Sequence, residues 1–174
     1  MKTSPVARKA STPDVQLEPS LAFLRRLWRL NRSLELLSTR MERALGLTAQ
    51  QRLVLRCIGR GPSITPGQLA ELLHLDPGTI SSAVKRLGTK RLIARTIDRK
   101  DSRRALLTLT AAGRRLDDAN LQGTVEACVR RLLVETSPAK LHALAATIDR
   151  LTTLLDETEP PPGIAAARLR VHRG

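Results

Sequence analysis

Within the eight residues IDRKDSRR (97–104) the chain places four cationic side chains, Arg99, Lys100, Arg103 and Arg104, beside Asp98 and Asp101. Clustered guanidinium and ammonium groups have one evident use, charge-assisted hydrogen bonding to phosphate or carboxylate. Taken alone, such a run is more often a solvated face than a site, so its neighbours have to decide. Other chemistry is poorly served. His74, His142 and His172 have no ligand-like spacing, and there is no Gly-rich phosphate loop, no G-x-S-x-G and no paired-carboxylate arrangement. Neither enzymatic activity nor a metal or cofactor is expected. Cys57 and Cys128 are isolated thiols on apolar helix stripes, where a buried structural role is expected ahead of a redox role.

Net charge is +14 over 174 residues, which points to a polyanion or an acidic surface as partner. That charge is local. Residues 77–104 hold nine Lys or Arg (Lys85, Arg86, Lys90, Arg91, Arg95 and the four above) against Asp98 and Asp101, half the total, whereas residues 114–157 carry a net −1. The aromatics are Phe23 and Trp28, both far in sequence from the charge, so a stacking platform for single strands is not available and duplex DNA fits better. No run of 18 apolar residues occurs, and MKTSPVARKA lacks an apolar signal core, so no membrane span and a cytoplasmic location are expected.

The elements that must position this charge are mostly helical, since Leu, Ala and Arg are abundant and β-branched residues modest. Residues 1–19 and 158–174 read as loose tails, the second basic. Apolar residues from Leu21 to Leu45 at three- and four-residue steps predict a long first helix that Gly46 stops. A second helix opens on the capping box Thr48 to Gln51 and ends at Gly59 or Gly61. The third opens on Thr65, Pro66 and Gln68, and the fourth on Asp76 and Pro77, burying Ile80, Val84 and Leu87. The last two, joined by His74, Leu75 and Asp76, form either a plain helical hairpin or a helix-turn-helix whose outer face is Thr79, Ser81, Ser82, Lys85 and Arg86. Runs 92–97 and 105–109 predict a β-hairpin, and its seven-residue tip is the charged stretch, a wing beside the groove that the fourth helix would enter. A fifth helix over about 110–136 carries Leu121, Val125, Cys128 and Leu132. A sixth, opening on Ser137 and Pro138, has Leu141, Leu144, Ile148, Leu151 and Leu155 at heptad spacing. Such stripes are either internal core or a homodimer seam, and long near-neutral helices outside a small winged helix favour the seam.

In "LGLTAQQRLVL" (45–55), "LAELLHLDPGTISSAVKRL" (69–87) and "DSRRALLTLTAAG" (101–113), taken in this order, the chain resembles the MarR family of winged helix-turn-helix transcriptional regulators over residues 21–157. The resemblance implies a mostly α fold with a small β-hairpin: dimerisation helices at 20–46 and 114–157 around a DNA-binding domain at 47–113. It implies a homodimer on double-stranded DNA, the fourth helix in the major groove and the wing along the minor groove. By position, Gly78, Thr79, Ser81 and Ser82 would approach base edges, with Lys85 and Arg86 nearer the backbone. Asp101 and Arg103 match the D-x-R wing motif, the aspartate bracing the wing and the arginine entering the minor groove, with Arg99, Lys100 and Arg104 adding cations. Family members commonly release DNA on binding a small aromatic or anionic effector in a cleft that Trp28, Arg32 and His74 would border here. One position departs from the pattern: the usual Gly before the first wing strand is Arg91, so either a non-Gly residue turns left-handed at about 1 kcal/mol or the fourth helix ends differently. The competing function is a winged-helix adaptor that docks an acidic protein.

Overall fold

Residues 18–98, 101, 104–119 and 121–159 are described by the structure, a computed structural model. Almost all of both expected tails therefore lies outside the described residues, although Pro19 is already helical. The described order is α1 (Pro19–Leu45), α2 (Ala49–Ile58), α3 (Pro66–Leu73), α4 (Pro77–Thr89), β1 (Ile93–Ile97), β2 (Ala105–Leu109), α5 (Ala111–Asp118), α6 (Val125–Glu135) and α7 (Pro138–Asp156).

Local chemistry accounts for most boundaries. Thr48 and Thr65 each accept a hydrogen bond from the backbone N–H three residues on, at 3.2 Å in both cases, while Gln51 and Gln68 reach back to the N-cap N–H at 3.4 and 2.9 Å. Four donors that helix starts leave unpaired are thereby satisfied. Gly46 ends α1 in the left-handed region at φ 71°. His74 ends α3 in the same region at φ 49°, and the N–H of Leu75 closes back on the Ala70 carbonyl at 3.1 Å.

One core joins α2, α3, α4 and the hairpin. Val54, Leu55 and Ile58 from α2, Leu69 from α3, Ile80 and Leu87 from α4, and Leu107 from β2 are at most 1% exposed. Each such burial stabilises the unit by roughly 1.5–3 kcal/mol. Between Ile80 and Leu87 the fully buried residue is Ala83. Val84, expected inside, is half-buried against the edge of the core. β1 pairs antiparallel with β2 from Ile93 opposite Leu109 to Ile97 opposite Ala105, and Ile64 bridges to Leu107 on the other side of β2.

The helix expected over 110–136 is two helices. α5 stops at Asp118 and α6 begins at Val125, with Gly123 left-handed at φ 72° between them. Asp118, Gly123 and Thr124 are weak helix formers, and Arg52 and Arg56 of α2 take up the carbonyls that α5 leaves open. Arg52, 2% exposed, donates to the Leu116 and Ala119 carbonyls at 3.2 and 3.4 Å, and Arg56 pairs with the Asp117 carboxylate at 3.1 Å.

Residues through Val125 make one compact unit and those from Glu126 another. In the second, no residue of α6 or α7 is buried. Cys57 is half-buried against the first unit's core, whereas Cys128, also expected inside, is exposed on α6. Among the described residues no helix is long and apolar enough to cross a membrane.

Candidate nucleic-acid interface

α4 is built to present its start. Pro77 occupies the first helical position, and the Asp76 carboxylate accepts from the N–H groups of Gly78 at 2.6 Å and Thr79 at 3.2 Å. Its negative charge is thus used on the helix's own N-terminus. With Ile80, Ala83 and Leu87 turned inward, helical periodicity leaves Thr79, Ser82 and Arg86 on one outer strip and Ser81 and Lys85 on another. Gly78, Ser81, Ser82, Lys85 and Arg86 are exposed, and Thr79 is half-buried.

The far end of α4 resolves the departure at Arg91. That residue is left-handed at φ 55°, its N–H bonded to the Gly88 carbonyl at 2.8 Å, and the N–H of Leu92 closes on the Leu87 carbonyl at 3.0 Å. The helix therefore ends as a glycine would end it, at about 1 kcal/mol of backbone strain. Thr110 holds the strained turn in place. Its hydroxyl donates to the Arg91 carbonyl at 2.8 Å and accepts from the Gly113 N–H at 3.0 Å, so one side chain ties the base of the hairpin to the start of α5. Gly113 is required there, because a Cβ would run into the Leu92 carbonyl.

Above this base the hairpin tip is closed by backbone bonds from Asp98 N–H to the Arg104 carbonyl and from Arg104 N–H to the Asp101 carbonyl, each 2.9 Å. Arg104 and Asp101 are exposed. Arg99, Lys100 and Arg103 lie outside the described residues.

Two clefts of about 490 Å³ flank α4. Thr79, Ser82 and Arg86 line the first, with Gly78, Asp76, and Thr48 and Gln50 from the start of α2. Ser81 and Lys85 line the second, with Pro66 at the start of α3, Ile93 and Arg95 of β1. Gln50 was not singled out from the sequence, and Arg95 was counted among the local cations without a role at the site. Gln50 was hidden inside a stretch that reads as a helix cap, and Arg95 inside a strand. Trp28, Arg32 and His74 line neither cleft; Trp28 and Arg32 are exposed one turn apart on α1, and His74 is exposed at the α3–α4 turn. Among the described residues no cluster of His, Cys, Asp or Glu could hold a metal ion.

Comparison with known proteins agrees with this geometry. A family profile described as MarR family matches residues 45–104, from the end of α1 through the hairpin tip. The organic hydroperoxide resistance transcriptional regulator of Bacillus subtilis (strain 168) is 29% identical over 113 residues, covering 64% of this chain and 76% of its own. Among solved structures, S. aureus MepR in a DNA complex superposes with a TM-score of 0.63 at 21% identity, covering 79% of this chain and 99% of that one. A mutant MarR from E. coli complexed with operator DNA gives 0.60 at 24% identity with the same coverages. At those identities the two structures speak for the fold. Capped helix-turn-helix, hairpin and profile match coincide on one segment: residues 45–104 match the MarR family profile, and the chain has the winged-helix fold of the structures it superposes on.

Proposed function

We propose that the chain acts as a homodimer that binds a pseudo-palindromic operator in double-stranded DNA and represses transcription until a small effector releases it. The observation that carries the reading is the outer surface of α4: small hydroxyl side chains at its start, Thr79, Ser81 and Ser82, followed by Lys85 and Arg86, on a helix whose other side is locked into the core. Short hydroxyls let the helix approach base edges closely, and cations one turn later meet phosphates. In this reading Gly78 permits the nearest approach, while Arg99, Lys100, Arg103 and Arg104 supply the wing's charge and Asp101 braces it. MepR and MarR are named in complexes with DNA, which supports carrying the activity to this chain.

The homodimer rests on unused apolar surface. Leu21, Phe23, Leu24, Trp28, Leu30 and Leu34 of α1 are 41–69% exposed, as are Leu144 and Ile148 of α7 at 50% and 51%. Contiguous apolar stripes of that kind mark an interface. Two copies set recognition helices about 34–36 Å apart, one turn of B-DNA, and a ligand that favours a different separation lowers affinity by population shift. Trp28 and Arg32, offering an apolar plane and a cation one turn apart, and His74 are the residues proposed for a small aromatic or anionic effector.

Binding should fall steeply with salt, by about 0.9 log units per log unit of salt for each phosphate neutralised. Ser82→Ala or Thr79→Ala should change which sequences are preferred, whereas Arg104→Ala should weaken all sequences alike. An acidic protein bound in place of DNA, with no sequence preference among duplexes, would refute the reading.

A further inference from the structure

The two clefts beside α4 share no side chain, although they open on the same helix. Each pairs one cation of α4, Arg86 or Lys85, with a polar residue contributed by a different element, Gln50 of α2 or Arg95 of β1. A helix with its side chains is about 10–12 Å across and the B-DNA major groove about 12 Å wide, so a helix in the groove fills it. The two sugar–phosphate ridges that bound the groove must then run along the helix's two flanks, where the clefts lie.

We propose that the clefts seat these two ridges, with the Gln50 carboxamide donating to a phosphate of one strand and the Arg95 guanidinium pairing with a phosphate of the other. The proposal rests on the duplex reading above and adds two contacts outside both the recognition helix and the wing tip. Gln50 and Gln51 both line the first cleft, but Gln51 is 4% exposed and its carboxamide oxygen accepts from the Thr48 N–H, whereas Gln50 is exposed. Ile93 and Arg95, two apart in β1, share the strand face that meets α4, Ile93 buried and Arg95 exposed where the cleft opens. Asp76 also lines the first cleft, but its carboxylate is held by the Gly78 and Thr79 N–H groups. Contacts from α2 on one flank and β1 on the other would fix the roll of α4 in the groove.

The test uses the full chain and duplexes enriched from a random pool, comparing wild type with Gln50→Ala, Arg95→Gln and Arg95→Lys. Both positions are exposed, so unchanged melting temperatures are expected. Arg95→Gln should weaken every duplex and reduce the salt slope by about 0.9 per half-site, and Arg95→Lys should restore the slope. Gln50→Ala should lower affinity by about fivefold per half-site with the slope unchanged, since a neutral hydrogen bond releases no counterion. Phosphate-ethylation interference should lose its signal on one strand for Gln50→Ala and on the opposite strand for Arg95→Gln. Wild-type affinity and slope in both variants, or interference lost on the same strand in both, would overturn the proposal while leaving the duplex reading intact. A wild-type chain without salt-dependent duplex binding would overturn both.

Discussion

Ile80 in α4 and Ile148 in α7 are isoleucines on helical apolar stripes, yet Ile80 has no exposed surface and Ile148 is 51% exposed. α4 is covered by α2, α3 and the hairpin, which lie within a few tens of residues of it in sequence. α6 and α7 have no buried residue in their own unit. Periodicity and capping specify a rod; whether its stripe is buried depends on what else the assembly supplies. The winged-helix unit supplies its own cover, and the proposed dimer supplies the rest.

Substitutions on the two sides of this contrast should behave differently. Ile80→Ala, at a site closed on all sides, should cost about 2–5 kcal/mol in denaturant unfolding, by the same amount at low and high protein concentration. Leu144→Ala combined with Ile148→Ala should leave amide-exchange protection in α2–α4 unchanged and weaken self-association by at least about tenfold in sedimentation. A concentration-independent loss instead would place those residues in an internal core. Arg52→Met removes the donors to the Leu116 and Ala119 carbonyls and should cost about 1–3 kcal/mol, separating α5 from α2 without affecting the capping boxes. Arg91→Gly has the smallest expected effect and the opposite sign. Relief of the left-handed strain, less the added freedom of the unfolded chain, should raise stability by a few tenths to about 1 kcal/mol, read as a higher denaturant midpoint.

Cys57 gives a pH-dependent probe of the same core. Burial pushes its thiol pKa up, against the pull of Arg60 and Arg56. The thiolate is therefore scarcer than in a free cysteine at neutral pH, and alkylation of Cys57 in the folded chain should be slower than in the unfolded chain at pH 7, accelerating as pH rises.

Much of the winged-helix unit was legible because its signals are local. Thr48 with Gln51, Thr65 with Gln68, and Asp76 with Pro77 announce helix starts through groups within three residues, and the apolar alternation of 105–109 sets the hairpin face. The break between α5 and α6 was not legible. The apolar stripe continues through Leu121 and Val125, while the interruption depends on Arg52 and Arg56, more than sixty residues away, meeting the end of α5. Ala83 displaced Val84 from the interior because the helix rotates to bring its smallest side chain against the core. The flanking clefts escaped for a related reason, since Gln50 and Arg95 acquire a shared relation to α4 only when three elements are assembled.

Selection of bound duplexes from a random pool by the full chain, followed by sizing of the complexes, tests the central claim most directly. The account predicts enrichment of an inverted repeat whose half-site centres are about 34–36 Å apart, bound by two copies of the chain. No enriched sequence, or a single unrepeated half-site bound by one copy, would contradict it.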